Sequence, residues 1–268
     1  MTILRSIVFT AIILGCSLAQ HAQGSAEMAP ASGKVFAGEH LTFEGRVSKL
    51  KVSISIAELT LSASRKSDSN ELTISTEAVS KGTMLKLFRY SFFQQYESTV
   101  DLTGFRILKT TKHDVQKQRV RDSEANFDYK EKRVSYTETD PKDSNRPPRR
   151  IASEIGEMMS DMVSAIYYVR LQKLAVGSKF NLEVSDSGLV FKVPVVVTAR
   201  EQQNTVMGKV WCFRVEPEIF GKNRLIEQKG EMDIWMTDDA RRTPVRARVD
   251  TQYGKVEIKL KSVTPPPR

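Results

Sequence analysis

The chain has 268 residues and carries 41 Lys and Arg against 32 Asp and Glu, a formal net charge of +9. Its 40% hydrophobic and 27% charged residues exclude a fully disordered, collagen-like or multi-span membrane protein. Two Cys cannot build a disulfide-dense scaffold, and three His leave little material for a metal centre, so no metal or cofactor is expected. The basic excess directs attention to acidic partners: nucleic acid, anionic lipid or an acidic polymer.

Residues 1–26 hold one charge, Arg5, followed by an apolar run from Ile7 to Leu14 and then a small-residue stretch. A short basic start, a short apolar core and a small-residue exit are the three parts of a secretory signal peptide. The run is too short to cross a bilayer, which takes roughly 20 apolar residues. Small residues fit a peptidase at Ser17-Leu18-Ala19, Ala22-Gln23-Gly24 and Gly24-Ser25-Ala26. Ile13-Leu14-Gly15-Cys16 also resembles a lipobox. An exported, periplasmic protein is expected, with a lipoprotein anchored through Cys16 as the alternative. Loss of Cys16 with the signal leaves Cys212 alone and no intrachain disulfide. Export also removes nucleic acid from the expected partners.

After the signal the dominant period is two. Leu41, Phe43 and Val47 alternate with polar residues, as in a half-buried strand. Val52, Ile54 and Ile56 hold one parity, and Leu59, Leu61 and Ala63 the other, so Ile56-Ala57 marks a bulge or a bend between two strands. Leu72, Ile74 and Thr76 follow the polar turn 67–70. Met84 to Phe93 fits either a helical face or a strand, and its aromatic content favours the strand. Tyr96, Ser98 and Val100 alternate again, and Asp101-Leu102-Thr103-Gly104 is a turn before Phe105 and Ile107. Val120 to Tyr129 and Arg133 to Glu138 read as a hairpin. The Pro/Arg-rich stretch 139–150 reads as an internal loop.

One central helix is expected from the stripe Met159, Met162, Val163, Ile166 and Tyr167, capped by Asp161 or Ser160. Strands return at Phe180–Val184 and at Leu189–Val197, where Pro194 suggests an edge or a bulge. Three more carry Trp211, Phe213 and Val215; Met232, Ile234 and Met236; and Val245, Ala247 and Val249. In the last, Val256, Ile258 and Leu260 oppose Lys255, Glu257, Lys259 and Lys261, so one side is wet. The prolines 265–267 cannot donate to a sheet. The expected fold is mainly β: a single curved antiparallel sheet or open barrel-like domain packed around one central α-helix, after an N-terminal signal peptide. It spans 27–263 as one domain, with a disordered tail at 264–268.

Three segments in this order carry a family likeness. Gly38-Glu39-His40-Leu41-Thr42-Phe43 looks like an opening strand, residues 161–170 like a central helix, and residues 230–245, with Trp235-Met236-Thr237-Asp238-Asp239, like a late strand–turn–strand. Together they resemble the exported bacterial domain-of-unknown-function family 3108, over roughly residues 36–263. The resemblance implies an envelope location and a β-rich fold, and it supplies no reaction.

The helix brings Asp161, Ser164, Tyr167 and Tyr168 onto one stripe, with Arg170 just beyond. As a ligand site these five would meet a guest at the mouth of the curved sheet, joined by Asp238 and Asp239. As structural groups, Asp161 caps the helix, Ser164 bonds backbone and Arg170 pairs with Asp238 or Asp239. Thr237-Asp238-Asp239 suits a turn better than a cation site, since calcium wants six to eight oxygens. Trp211, Trp235 and Cys212 read as core residues. His40 and His113 read as surface or strand residues.

The Gly-x-Ser-x-Gly elbow, the phosphate loop, the His-Glu-x-x-His pair and Cys-x-x-Cys are all missing, so no catalysis is expected. Two readings remain: a non-catalytic carrier of an apolar or amphipathic envelope ligand, favoured by Met158, Met159 and Met162, or a structural module of envelope assembly without a small ligand. Residues 106–150 hold 13 Lys and Arg against 8 Asp and Glu, which makes this segment the expected contact with an anionic membrane surface. The oligomeric state is left open.

Overall fold

The computed structural model describes residues 36–49, 52–65, 68–251 and 254–265. The expected signal peptide at 1–26, with Cys16, lies outside these residues. The first half of the chain forms β1 (His40–Lys49), β2 (Val52–Ser64), β3 (Glu71–Ser80), a short helix α1 (Gly82–Phe88), β4 (Phe92–Asp101), β5 (Arg106–Gln116), β6 (Arg119–Asp128), β7 (Arg133–Thr139) and β8 (Arg149–Glu154). The second half forms β9 (Met159–Asp161), helix α2 (Ser164–Leu171), β10 (Lys179–Asp186), β11 (Leu189–Thr205), β12 (Gly208–Pro217), β13 (Gly230–Thr237), β14 (Pro244–Thr251) and β15 (Gly254–Thr264).

These fifteen strands make one sheet, ordered β8 to β1 and then β15 to β9. Each half is a meander of antiparallel neighbours, apart from β9, which pairs in parallel with β10, and the halves meet where β1 pairs with β15, from His40 opposite Thr264 to Ser48 opposite Lys255. The expected single curved sheet around a central helix is what forms. Its two edges, β8 and β9, are consecutive in the chain, and β8 meets the β10–β11 turn at a seam, where Ser153 Oγ donates to the Gly188 carbonyl at 2.7 Å.

Alternation explains which face is buried. Leu41 and Phe43 of β1, Leu61 and Ala63 of β2, Leu72 and Ile74 of β3, and Val100 of β4 share the inner face, all of them buried. Parity changes inside β2 without breaking the strand: Gly45 faces Ala57, the next pair is Arg46 with Ser55, and Ile56 is the extra residue. Helix α2 lies between the two halves of the sheet and shows each half a different stripe. Val163, Tyr167 and Leu171 join the apolar cluster of the first half, and Ala165 and Val169 join that of the second. A helix buried on both sides needs no wet face, which is why its sequence is apolar nearly all round.

Several expectations shift. Residues 82–88 form a helix where a strand was favoured, because Met84 and Phe88 turn inward over Ile56, Tyr90 and Phe92 while Phe92 and Phe93 open β4. The central helix starts at Ser164, not Met159. Met159–Asp161 pairs in parallel with Glu183–Ser185 of β10, so the expected methionine stripe precedes the helix. The loop 139–150 shrinks to 140–148, because Arg149 and Arg150 pair across from Glu138 and Thr137. Residue 264 ends β15 instead of opening a tail. Pro194 sits inside β11, and its carbonyl accepts from Glu218 just past the last β12 residue, so its missing donor costs no ladder bond.

Gly188 closes the seam because it has no side chain. Its φ is +81°, and a Cβ there would lie 2.6 Å from Tyr136 Cβ and 3.0 Å from Ile151 Cβ. Gly188→Ala is therefore expected to lose about 2–4 kcal/mol through overpacking and backbone strain. Gly82→Ala, with nothing within 4 Å, should stay within about 0.5 kcal/mol of wild type. Urea unfolding of the two variants measures the difference.

Candidate functional site

Arg170 points from the last turn of α2 towards the start of β1. Its Nη1 and Nη2 donate to Glu39 Oε2 and Oε1 at 2.7 and 2.6 Å, a fork-to-fork ion pair. Neither side chain reaches solvent beyond 2%. The guanidinium lies 4.3 Å from the Phe36 ring centre and 4.8 Å from that of Tyr167. Its Nε donates to the Arg241 carbonyl at 3.1 Å, and Arg242 donates back to the Arg170 carbonyl at 2.8 Å. The expected partners of Arg170, Asp238 and Asp239, are thus replaced by Glu39. The signal was present: Glu39 shares parity with Leu41 and Phe43, so its carboxylate had to enter the core and find a cation there.

Asp161 sits at the other end of the helix, on β9. Its Oδ2 accepts from Ser98 Oγ of β4 and Thr110 Oγ1 of β5, both at 2.6 Å. Its Oδ1 accepts from the backbone of Val163 and Ser164, while Ser164 Oγ accepts from the Asp161 backbone N–H at 2.9 Å. This reciprocal pair satisfies the amides of Val163 and Ser164 at the helix start. One carboxylate therefore ties helix start, edge strand and opposite sheet wall together.

The seven expected site residues fall into four places instead of one ligand site. Asp161 and Ser164 form the cap. Tyr167 and Arg170 belong to the Glu39 lock, and burial pushes the Tyr167 hydroxyl well above the usual phenol range. Tyr168 packs half-buried between the apolar clusters. Asp238 pairs with Arg200 at 2.5 Å. Asp239 Oδ1 accepts from Thr237 Oγ1 and from the amides of Arg241 and Arg242, all at 2.9 Å, and so shapes the turn that supplies Arg241's carbonyl to the lock.

Beside Asp161 the interior holds a polar pocket that the sequence did not single out. Tyr96, Lys112, Ser123, Tyr136, Ser185 and Asp186 surround about 20 Å³, space for roughly one water. Burial raises the Asp186 carboxyl above its ordinary value, against the pull of Lys112. Cys212 is fully buried, and burial pushes its thiol up to about 12, which leaves it protonated and unreactive. Trp211, expected in the core, is 46% exposed beneath Arg200, whereas Trp235 is buried.

A much larger concavity opens on the outer face. There β2 to β7 bend into a trough of about 1100 Å³. Hydroxyls of Thr60, Ser62, Ser75 and Thr111 line it, with the carboxylates of Glu77, Glu97, Asp122 and Glu124. His113 Nδ1 lies 2.5 Å from Asp122, and Lys109 pairs with Glu124 at 2.7 Å. On a chain with net charge +9 this is a local acidic surface.

The sequence matches the family described as a protein of unknown function, DUF3108, over residues 42–261, and the chain belongs to that family. It matches no curated protein. Among solved structures it is similar to a β-barrel-like protein of the unknown-function family DUF1849 from Brucella abortus. That match has a TM-score of 0.58 and 11% identity, and covers 85% of this chain and 97% of the other. A Bacteroides fragilis protein with a YmcC-like fold is 10% identical over 90% of this chain and all of its own, and its TM-score of 0.33 is too low to define a common fold. The first likeness establishes the barrel-like fold.

Two outcomes are expected. Glu39→Gln leaves the buried guanidinium half-paired and should cost about 3–5 kcal/mol, whereas Glu39→Leu with Arg170→Met should recover much of the loss; urea melts of the three chains compare them. For Asp186, the folded chain holds its proton more tightly than the unfolded chain. Stability therefore falls as pH rises from the ordinary value of 3.8 through the raised one. Asp186→Asn should be more stable than wild type at neutral pH and equal to it below pH 3.8, as thermal melts across pH will record.

Proposed function

We propose that this family member is an exported, non-catalytic docking protein of the cell envelope, which binds a partner on the outside of its barrel. Support for export is the hydrophobic N-terminal segment of the sequence, with its short basic start and small-residue exit. The single observation that carries the docking reading is the contrast between the two faces of the sheet. Inside, α2 fills the axis with the fully buried side chains of Tyr167 and Arg170, and the apolar clusters close on it. Outside, the trough across β2 to β7 is open, polar and about 1100 Å³ in volume.

A carrier of an acyl chain would need the axis that α2 occupies. To empty it, the Arg170–Glu39 lock and the Asp161 cap would both have to open. The trough asks for a different guest. Its carboxylates and hydroxyls suit an extended, polar and positively charged segment, which can lie across several strands and meet Glu97, a carboxylate without an ion pair among the described residues.

A labelled oligolysine peptide is the direct probe, because a protein of this net charge repels it everywhere except at an acidic site. Saturable binding is expected, weakened about tenfold or more by Glu77→Lys with Glu97→Lys. Absence of saturable binding, or equal binding by the variant, removes the trough from the reading. Lipid extraction followed by mass spectrometry covers the carrier: an acyl chain recovered in stoichiometric amount would replace docking with carriage.

A further inference from the structure

Helix α1 closes one end of the barrel. Met84 and Phe88 point inward, and the outward crest reads Leu85, Lys86, Leu87. Leu85 is 55% and Leu87 58% exposed, high for leucines on a helix of a folded domain. Arg89 follows in the left-handed conformation, φ +50°, and turns the chain down into β4.

Two other cationic loops gather at the same end. In the β5–β6 turn, Lys117 N donates to the Ser91 carbonyl at 3.0 Å, and its ammonium lies 5.8 Å from the Tyr90 ring centre. Lys142, from the loop 140–148, reaches the Gln118 carbonyl with its Nζ at 3.3 Å. Lys86, Arg89, Lys117, Lys142 and Arg146 are all exposed. The carboxylates closest to the helix are occupied. Glu44 binds Lys81 at 2.9 Å and Arg46 at 3.2 Å, and these contacts hold its carboxyl down to about 2. Asp114 is buried against Gln94 and Arg119. Glu58, opposite Glu44 on the same face of the β1–β2 pair, is exposed, and Asp143 is the one exposed acid of the 140–148 loop.

Two exposed leucines set in a ring of five cations, against two exposed acids, have the chemistry of an interfacial anchor. The apolar tips enter the acyl boundary while lysine and arginine stay at headgroup level. The geometry points to an anionic lipid surface as the occupant of this end of the barrel, with α1 as the inserted wedge. A second copy of the chain would bring five like charges against five, so charge favours the lipid. The inference is separate from the trough, which lies on the side of the barrel and shares none of these residues.

The test uses the mature chain as processed by cells, floated with vesicles of phosphatidylcholine alone or mixed in equal parts with phosphatidylglycerol. Binding to the anionic vesicles only, falling with added salt, is expected. Each cation near such a leaflet is worth about fivefold in partition, and each leucine that leaves water contributes about the same factor. Leu85→Ser with Leu87→Ser should therefore weaken binding about tenfold or more, and Lys86→Glu with Arg89→Glu at least as much. The charge variant alters exposed groups only, so it decides the matter if the leucine variant melts early. Failure to bind anionic vesicles at low salt, or undiminished binding by the charge variant, overturns the inference. So does a dimer in sedimentation that Leu85→Ser with Leu87→Ser abolishes while vesicles stay bare. None of these results alters what oligolysine reports about the trough.

Discussion

A guanidinium that never meets solvent must be paid for by its neighbours, and here one carboxylate, two rings and one carbonyl do so. Glu39 satisfies two donors of Arg170, Arg241 supplies the carbonyl for a third, and Phe36 and Tyr167 flank the plane. The pair joins the segment before the first strand to the last turn of the central helix, and the returning Arg242 bond adds the β13–β14 turn. Everything inside the barrel is arranged around a helix whose position this contact defines. A buried ion pair adds little net stability compared with apolar residues of the same shape, but it tolerates few alternative arrangements.

The Asp161 cap does the same at the opposite end with neutral donors. Four hydrogen bonds converge on one carboxylate from a helix, its lead-in and two strands of the far wall. The helix is thus fixed at both ends by polar groups and along its length by two apolar stripes. That division explains why the inner face carries hydroxyls at Ser98 and Thr110 where its neighbours Val100 and Ile107 are apolar. It also explains why the polar residues of the helix are spent on the fold, leaving binding to the exterior.

Much of the fold could be read from parity alone. A period of two, switching at Ile56, predicted a bulge or a bend there, of which the bulge inside one strand, β2, is what forms, and the late strands followed the same rule. Short elements escaped it. Three residues of β9 are too few to show a period, and their partners lie more than twenty residues later in β10. Seven residues of α1 compete with aromatic neighbours that prefer strands. For the site, the inward parity of Glu39 was legible but its partner, 131 residues away, was not. Trp211 shares parity with buried Phe213, yet β13 pairs only with Cys212 to Val215, so Trp211 stands on the hairpin arm beyond that cover. The trough was illegible for another reason. Alternate polar residues mark any wet strand face, and nothing in them records how far the sheet bends.

The pairing of β1 with β15 sets an order of events. Apart from the β9–α2–β10 crossover, each half of the sheet is built from antiparallel pairs of consecutive strands that can form as the chain emerges. The joint between the halves connects His40 to Thr264, nearly the full length of the domain. Until the last strand arrives, β1 is a complete, ten-residue strand with one row of backbone donors and acceptors unpaired, and the half-sheet behind it is an open edge. Closing a loop of that span is the slow, entropically costly step of such a topology. The final eleven residues of the fold thus act as its latch, and a chain cut short before them would present a sticky edge to every copy of itself.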